Sequence, residues 1–190
     1  MIDEALLLER ALTLFVRRGI KRTSLETVAE EAGTTRGTLY RRFSDKETLL
    51  REALLHAVRR FEEDLRVIVP PSDGGLEGFL EGFARLYAEG PVGTLGRLRD
   101  ELARLYPAVH RELLEMQQSV GREHFRRLIE AAGKTHKVRS DADPELLSAV
   151  FETLLKHMPE NPSLKLTGAD PGELFSRTAR LLFFGIFEKT

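Results

Sequence analysis

Cysteine and tryptophan are both missing from the 190 residues. Without a thiol there can be no disulfide framework, no cysteine-held zinc and no thiol nucleophile. No eighteen apolar residues run together, so no segment is expected to cross a membrane. The opening stretch carries Asp3 and Glu4 where a secretory leader would carry bases, and no small-residue cleavage site follows. A cytoplasmic location is therefore expected. Charge of one sign is lacking too. A net charge of −1 excludes a uniformly basic nucleic-acid coat protein, yet leaves room for a local basic patch. The five histidines have no metal-ligand spacing. Neither a Gly-x-Ser-x-Gly elbow nor a glycine-rich phosphate loop occurs. No catalytic residue, metal ligand or cofactor is expected, and an enzyme is disfavoured. Asn, Gln and Met are also scarce, at one, two and three, while Arg outnumbers Lys by 22 to 7. That suits a heat-adapted source or one with GC-rich codons.

What is present is helical punctuation. Apolar residues make up 42% and charged residues 31%, the balance of a soluble globular chain. Leu8, Ala11, Leu12 and Phe15 follow the i, i+3, i+4, i+7 rule of one amphipathic helix face. Arg17 and Arg18 close that helix, and Gly19 is placed as its left-handed stop. Thr23-Ser24-Leu25-Glu26 reads as a capping box with Thr23 as the cap, opening a short helix that Gly33 ends. Thr35 caps a third helix reaching about Phe43. A fourth starts at Ser44 or Asp45 and runs to about Val69, before a loop of Pro and Gly at 70–75. Further helices are expected near 76–89, 93–105, 107–132, 143–157 and 171–187, with loops at 133–142 and 159–170. The fold class is all-α.

The two short helices within residues 25–43, joined by a turn containing Gly33, have the form of a helix-turn-helix, whose second helix enters the DNA major groove. Charge sharpens this. From Arg17 to Lys46 there are eight basic residues against four acidic ones, so the rest of the chain is net acidic. The pattern Ala11-Leu12, Phe15, Gly19, Thr23-Ser24, Val28-Ala29, Ala32-Gly33, Gly37-Thr38-Leu39-Tyr40, Phe43, Lys46-Glu47 and Leu49 resembles the DNA-binding signature of TetR-family regulators. Thr34 departs from it where an apolar residue is usual, as does Arg41-Arg42 where a histidine or aromatic pair is common.

The resemblance implies an N-terminal three-helix DNA-binding domain, residues 1–46, and a helical effector-binding and dimerisation domain, residues 47–190. The implied activity is a regulator, a repressor in the leading reading, that binds a palindromic double-stranded operator as a homodimer. A small, largely hydrophobic effector would release it. Thr23, Thr35, Arg36, Gly37, Thr38, Tyr40, Arg41, Arg42 and Lys46 are the candidate DNA-binding residues. Arg36, at the entry of the recognition helix, either forks onto a guanine or contacts phosphate only. Gly37 lets the helix backbone approach the duplex. Thr38 and Tyr40 are expected at phosphates, with Thr38 also suited to a thymine methyl. Arg41 and Arg42 point to different sides, so only one is expected to bind strongly. Lys46 sits in a first helical turn, where the dipole favours an anion.

Phe79, Phe83, Tyr87, Leu98, Leu102, Tyr106, Met116, Val120 and Phe151 form the candidate effector pocket, with ordinary core packing as the alternative. Phe175, Leu182, Phe183, Phe184 and Phe187 form the candidate dimer interface, with burial inside one chain as its alternative. Two other functions stay open: a constitutive or architectural DNA binder with a filled core, and an all-helical enzyme or lipid carrier.

Overall fold

A computed structural model describes residues 3–67, 95, 98–135, 143, 145–147, 149–150, 153, 177–178 and 181. Helix α1, Glu4–Arg18, buries Leu7, Leu8, Ala11, Leu14 and Phe15 along one face. Burying each leucine and the phenylalanine contributes about 1.5–3 kcal/mol before entropy is counted. Glu4 in the first turn and Arg17 and Arg18 in the last match the helix dipole. The Gly19 amide closes the helix on the Phe15 carbonyl at 2.8 Å. Gly19 has φ 84° and ψ 156°, so it takes the positive φ expected, but not the left-handed helical state. That region is almost closed to residues with a Cβ.

Helix α2, Leu25–Ala32, begins one residue later than the capping box suggested. The cap is Ser24, whose hydroxyl accepts from the Thr27 amide at 3.2 Å. Thr23 is not the cap. Its side chain is 1% exposed, and its hydroxyl donates backwards to the Gly19 carbonyl at 2.8 Å. Gly33 ends α2 in the left-handed conformation, φ 68° and ψ 32°. Helix α3, Arg36–Arg42, starts under a Thr35 hydroxyl that accepts from the Thr38 amide at 3.2 Å. Its inward side chain, Leu39, is fully buried. Asp45 accepts from the Thr48 amide at 2.7 Å, which opens α4, Lys46–Arg66. Leu49, Leu50, Ala53, Leu54, Val58 and Phe61 form its buried stripe. This helix stops at Arg66, three residues short of the expected end.

Helix α5 spans Arg99–Leu105 rather than 93–105, although Leu95 is itself helical. Helix α6, Pro107–Thr135, opens on a proline whose missing N–H costs nothing in a first turn. It continues through 133–135, where a loop was expected. Residues 145–147, 149–150 and 153 are helical inside the expected 143–157 helix, as are 177, 178 and 181 inside the expected 171–187 helix. The expected helix at 76–89 lies outside the described residues. Among the described residues there is no strand, and the fold is all-α.

Backbone contacts group residues 1–61 with 94–116, and 62–93 with 117–190. The first unit thus joins α1–α3 and most of α4 to α5 and the start of α6. In the second unit, His124 and Phe125 are buried on the later part of α6. Burial, followed by the nearby Arg127 charge, pushes the His124 pKa down to about 4 from its ordinary value.

Candidate nucleic-acid interface

Three residues, Gly33 to Thr35, separate α2 from α3, and backbone bonds lock the turn. The Gly33 amide donates to the Glu30 carbonyl at 3.1 Å and the Thr34 amide to Ala29 at 2.9 Å. Leu25, Val28, Ala29 and Ala32 of α2 are buried, as is Leu39 of α3. Opposite this apolar seam, Thr35, Arg36, Gly37, Tyr40, Arg41 and Arg42 are exposed, and Thr38 is half-buried.

Gly37 is informative because nothing among the described residues demands it. A Cβ placed there would meet only the Thr35 hydroxyl, at 4.0 Å. Arg36 lies over the Tyr40 ring, 5.1 Å from guanidinium carbon to ring centroid, and its Nε pairs with Glu26 Oε1 at 3.0 Å. The Tyr40 hydroxyl donates to the same oxygen at 3.5 Å. Thr38 shares a 2.9 Å hydroxyl bond with Thr35. Arg41 folds along its own helix, donating to the Gly37 carbonyl and the Thr38 hydroxyl, each at 3.3 Å. Arg42 turns the other way and pairs with Glu4 of α1. The two arginines therefore have different partners, as their positions around α3 require.

Lys46 is tied down, its Nζ donating to the Ile20 carbonyl at 3.1 Å. The Ile20 N–H donates to Glu101 Oε2 at 2.5 Å, so α4 and α5 both hold the turn between α1 and α2. A Cβ on Gly19 would lie 3.1 Å from that carboxylate oxygen. Thr23, a candidate on sequence, is withdrawn from the interface, because its buried hydroxyl is committed to Gly19 and presents nothing to a phosphate. Glu26, Glu101 and Glu4 were missed as partners of these groups. Only Glu26 had any sequence signal, as the acid of the capping box.

The expected pocket residues are divided. Leu98 and Leu102 are buried in the first unit, which also holds the half-buried Tyr106 and Met116. Burial pushes the Tyr106 hydroxyl pKa up, with Glu47 and Asp45 adding to it. Val120 is buried in the second unit. Phe79, Phe83, Tyr87 and Phe151 lie outside the described residues, as do all five expected dimer residues, Phe175, Leu182, Phe183, Phe184 and Phe187. Arg51 of α4 forks onto Glu112 of α6, with 2.7 Å from Nε to Oε2, and also donates to Glu52. Among the described residues, no helix is long and apolar enough to cross a membrane, and no three candidate ligands gather into a metal site.

Residues 7–53 match the family model of bacterial regulatory proteins, tetR family. The HTH-type transcriptional repressor KstR2 of Rhodococcus jostii is 32% identical over 149 residues, covering 74% of this chain and 70% of that protein. The chain belongs to the TetR family. This TetR-family regulator also has the fold of a putative TetR-family transcriptional regulator from Mesorhizobium loti. That structure has a TM-score of 0.68 and 18% identity, with 98% of this chain and 100% of the other covered. The SmeT–triclosan complex superposes with a TM-score of 0.66 at 17% identity, covering 97% and 91%. The protein is thus a DNA-binding transcriptional regulator related to repressors.

Proposed function

We propose that this TetR-family regulator represses transcription by binding a palindromic operator as a homodimer, and that a small, largely hydrophobic effector releases it. The observation that carries the DNA half of this reading is the exposed face of α3. Arg36, Gly37, Tyr40 and Arg41 lie on it without serving the core, and the glycine has no internal steric reason. In the major groove a bare helix backbone at Gly37 allows close approach, and Arg36 lies beside it for a base edge. Thr35, Thr38, Tyr40, Arg41 and Lys46 then serve phosphates, which fix register. Arg42 joins them by giving up its exposed pair with Glu4, since such pairs contribute only about 0–1 kcal/mol.

Residues 1–46 carry this contact, and residues 47–190 sense and dimerise. Helix α4 has 21 residues, about 31 Å at 1.5 Å per residue, and passes from one unit into the other. It serves as the lever by which an effector changes the spacing of two recognition helices. The solved SmeT complex with triclosan supports a hydrophobic effector, and the apolar residues named from the sequence remain its candidate site. The last helix, through Phe175, Leu182, Phe183, Phe184 and Phe187, supplies the two-fold interface. The protein works in the cytoplasm, by binding and not by catalysis.

Selection from a randomised duplex library tests the reading, with light scattering for the assembly state. Enrichment of a two-fold symmetric motif by a dimer is expected. A monomer, or a library left unenriched, would refute it. Ligand affinity measured with and without the selected duplex tests release. The two sites must weaken each other equally.

A further inference from the structure

Glu26 is the second residue of α2, and its carboxylate is where α2 and α3 meet through charged atoms. One oxygen, Oε1, takes the Arg36 Nε at 3.0 Å and the Tyr40 hydroxyl at 3.5 Å. The Tyr40 ring covers the Arg36 guanidinium at 5.1 Å. The three side chains close a ring on the surface, with the Glu26 and Arg36 side chains 41% and 66% exposed. Ser24 already caps α2, so the helix does not need Glu26 for that purpose.

An acid is a poor choice on a surface meant for DNA, because it repels every phosphate. Its first-turn place suits the α2 dipole, and its contacts with Arg36 and Tyr40 give it a second use. Arginine carries five N–H groups in a planar fork, and bidentate contact with guanine O6 and N7 needs two of them held in one plane. Glu26 holds the Nε edge of the Arg36 guanidinium as an ion pair at 3.0 Å. The Tyr40 face limits rotation of the plane. A free arginine would have to give up this rotation when it meets the base. Bonds from its own amide and from the Ser24 hydroxyl, ahead of the Arg36 charge and the Tyr40 hydroxyl, keep the Glu26 carboxyl below its ordinary pKa.

We propose that Glu26 is a specificity-determining positioning residue: acting with Tyr40, it holds the Arg36 fork ready for bidentate contact with one base pair. This rests on the DNA-binding reading above. The cost is some affinity for phosphate in general, and the gain is discrimination at a single position.

The test repeats the library selection with wild type, Arg36→Ala, Glu26→Leu, Glu26→Gln and Tyr40→Phe, recording melting temperature alongside. A motif enriched by wild type secures the DNA reading independently. Arg36→Ala then locates the base pair that Arg36 reads. A good bidentate contact discriminates by about 5- to 150-fold, and Glu26→Leu should lose about three- to tenfold of it at that same pair. Its affinity for random duplex should hold or rise. Glu26→Gln keeps an acceptor oxygen and should retain most of the preference. Tyr40→Phe keeps the ring and should lose less than Glu26→Leu. If Glu26→Leu leaves the profile intact, or weakens all sequences alike, the proposal is overturned. A loss at a different base pair would mean that Glu26 reads a base itself, and would overturn it too. So would a Glu26→Gln profile as flat as that of Glu26→Leu, or an Arg36→Ala profile equal to wild type.

Discussion

The Ile20 peptide offers a sharp test of how the DNA-binding helices are held. Its N–H donates to Glu101 at 2.5 Å, and its carbonyl accepts from Lys46 at 3.1 Å and from the Thr23 amide at 3.4 Å. The Ile20 side chain is fully buried, so its N–H has poor access to water as a substitute partner. In Glu101→Leu the acceptor disappears and the N–H is stranded. A buried donor left without a partner costs about 1–3 kcal/mol. For a chain of this size, each kcal/mol lowers the melting temperature by about 2–4 °C, so a drop of about 2–12 °C is expected. Glu101→Gln keeps an oxygen in place but loses the charge. Charge-assisted bonds are about twice as strong as neutral ones, so this variant should lose about half as much. Gly19→Ala strikes the same place from the other side. Its new Cβ would lie 3.1 Å from Glu101 Oε2, in a backbone region that costs non-glycine residues about 1–3 kcal/mol. In the double variant with Glu101→Leu the crowding of the carboxylate is gone while the backbone strain stays, so the two losses should not add. Equilibrium urea unfolding compares all four variants with wild type. Glu101→Leu matching wild type within about 0.5 kcal/mol, the usual range for inert surface changes, would refute this account of the turn.

Gly37→Ala should raise helix stability by about 0.5–1 kcal/mol while weakening operator binding, because the structure has room for the methyl and the approaching duplex does not. Unchanged affinity would mean that the α3 backbone does not lie close to DNA. His124 is held neutral by burial, with a pKa of about 4 against an ordinary 6.5. Protonation therefore favours the unfolded chain, so stability is full above about pH 6.5 and declines as pH falls towards 4. One such group accounts for about 2 kcal/mol between pH 7 and pH 5. His124→Gln should flatten this slope in urea titrations, and equal slopes in both proteins would place the charging elsewhere. Operator affinity should fall about 10³- to 10⁵-fold between 50 and 200 mM salt if the dimer covers six to ten phosphates. An affinity flat over that range would exclude the proposed docking.

The elements that carry the site were legible where local chemistry decides them. Gly33 and Thr35 announced the turn, and the structure uses both residues as read. Local chemistry failed where two neighbours offered the same group. Thr23 and Ser24 both supply a hydroxyl ahead of α2. Tertiary packing chose between them by burying Thr23, leaving the cap to Ser24. The α5 start was placed too early although Gly96 stands three residues before Arg99, and Leu98 forms the turn that precedes the helix. Glu101 stands 81 positions from Ile20, and no periodicity or spacing connects an acid to an amide so far along the chain.

Counting charges shows the same limit from the side of function. Eight bases against four acids between residues 17 and 46 marked a local basic segment in the sequence. In the folded chain Arg17 pairs with Glu31, Arg36 with Glu26 and Arg42 with Glu4. The Arg17 and Arg42 pairs are solvent-exposed and stand alone, so each is weak and a phosphate can displace the acid at little cost. Lys46 is in a different situation. Its partner is the neutral Ile20 carbonyl, which fixes the ammonium in place without cancelling its charge. Two of its three N–H groups stay available beyond that bond, beside the first amides of a 21-residue helix. A cation held by a neutral acceptor needs neither to be ordered nor to leave an acid when a phosphate arrives. Of the basic residues in this segment, Lys46 should therefore contribute most evenly to binding, whatever the DNA sequence, while Arg36 should contribute most selectively.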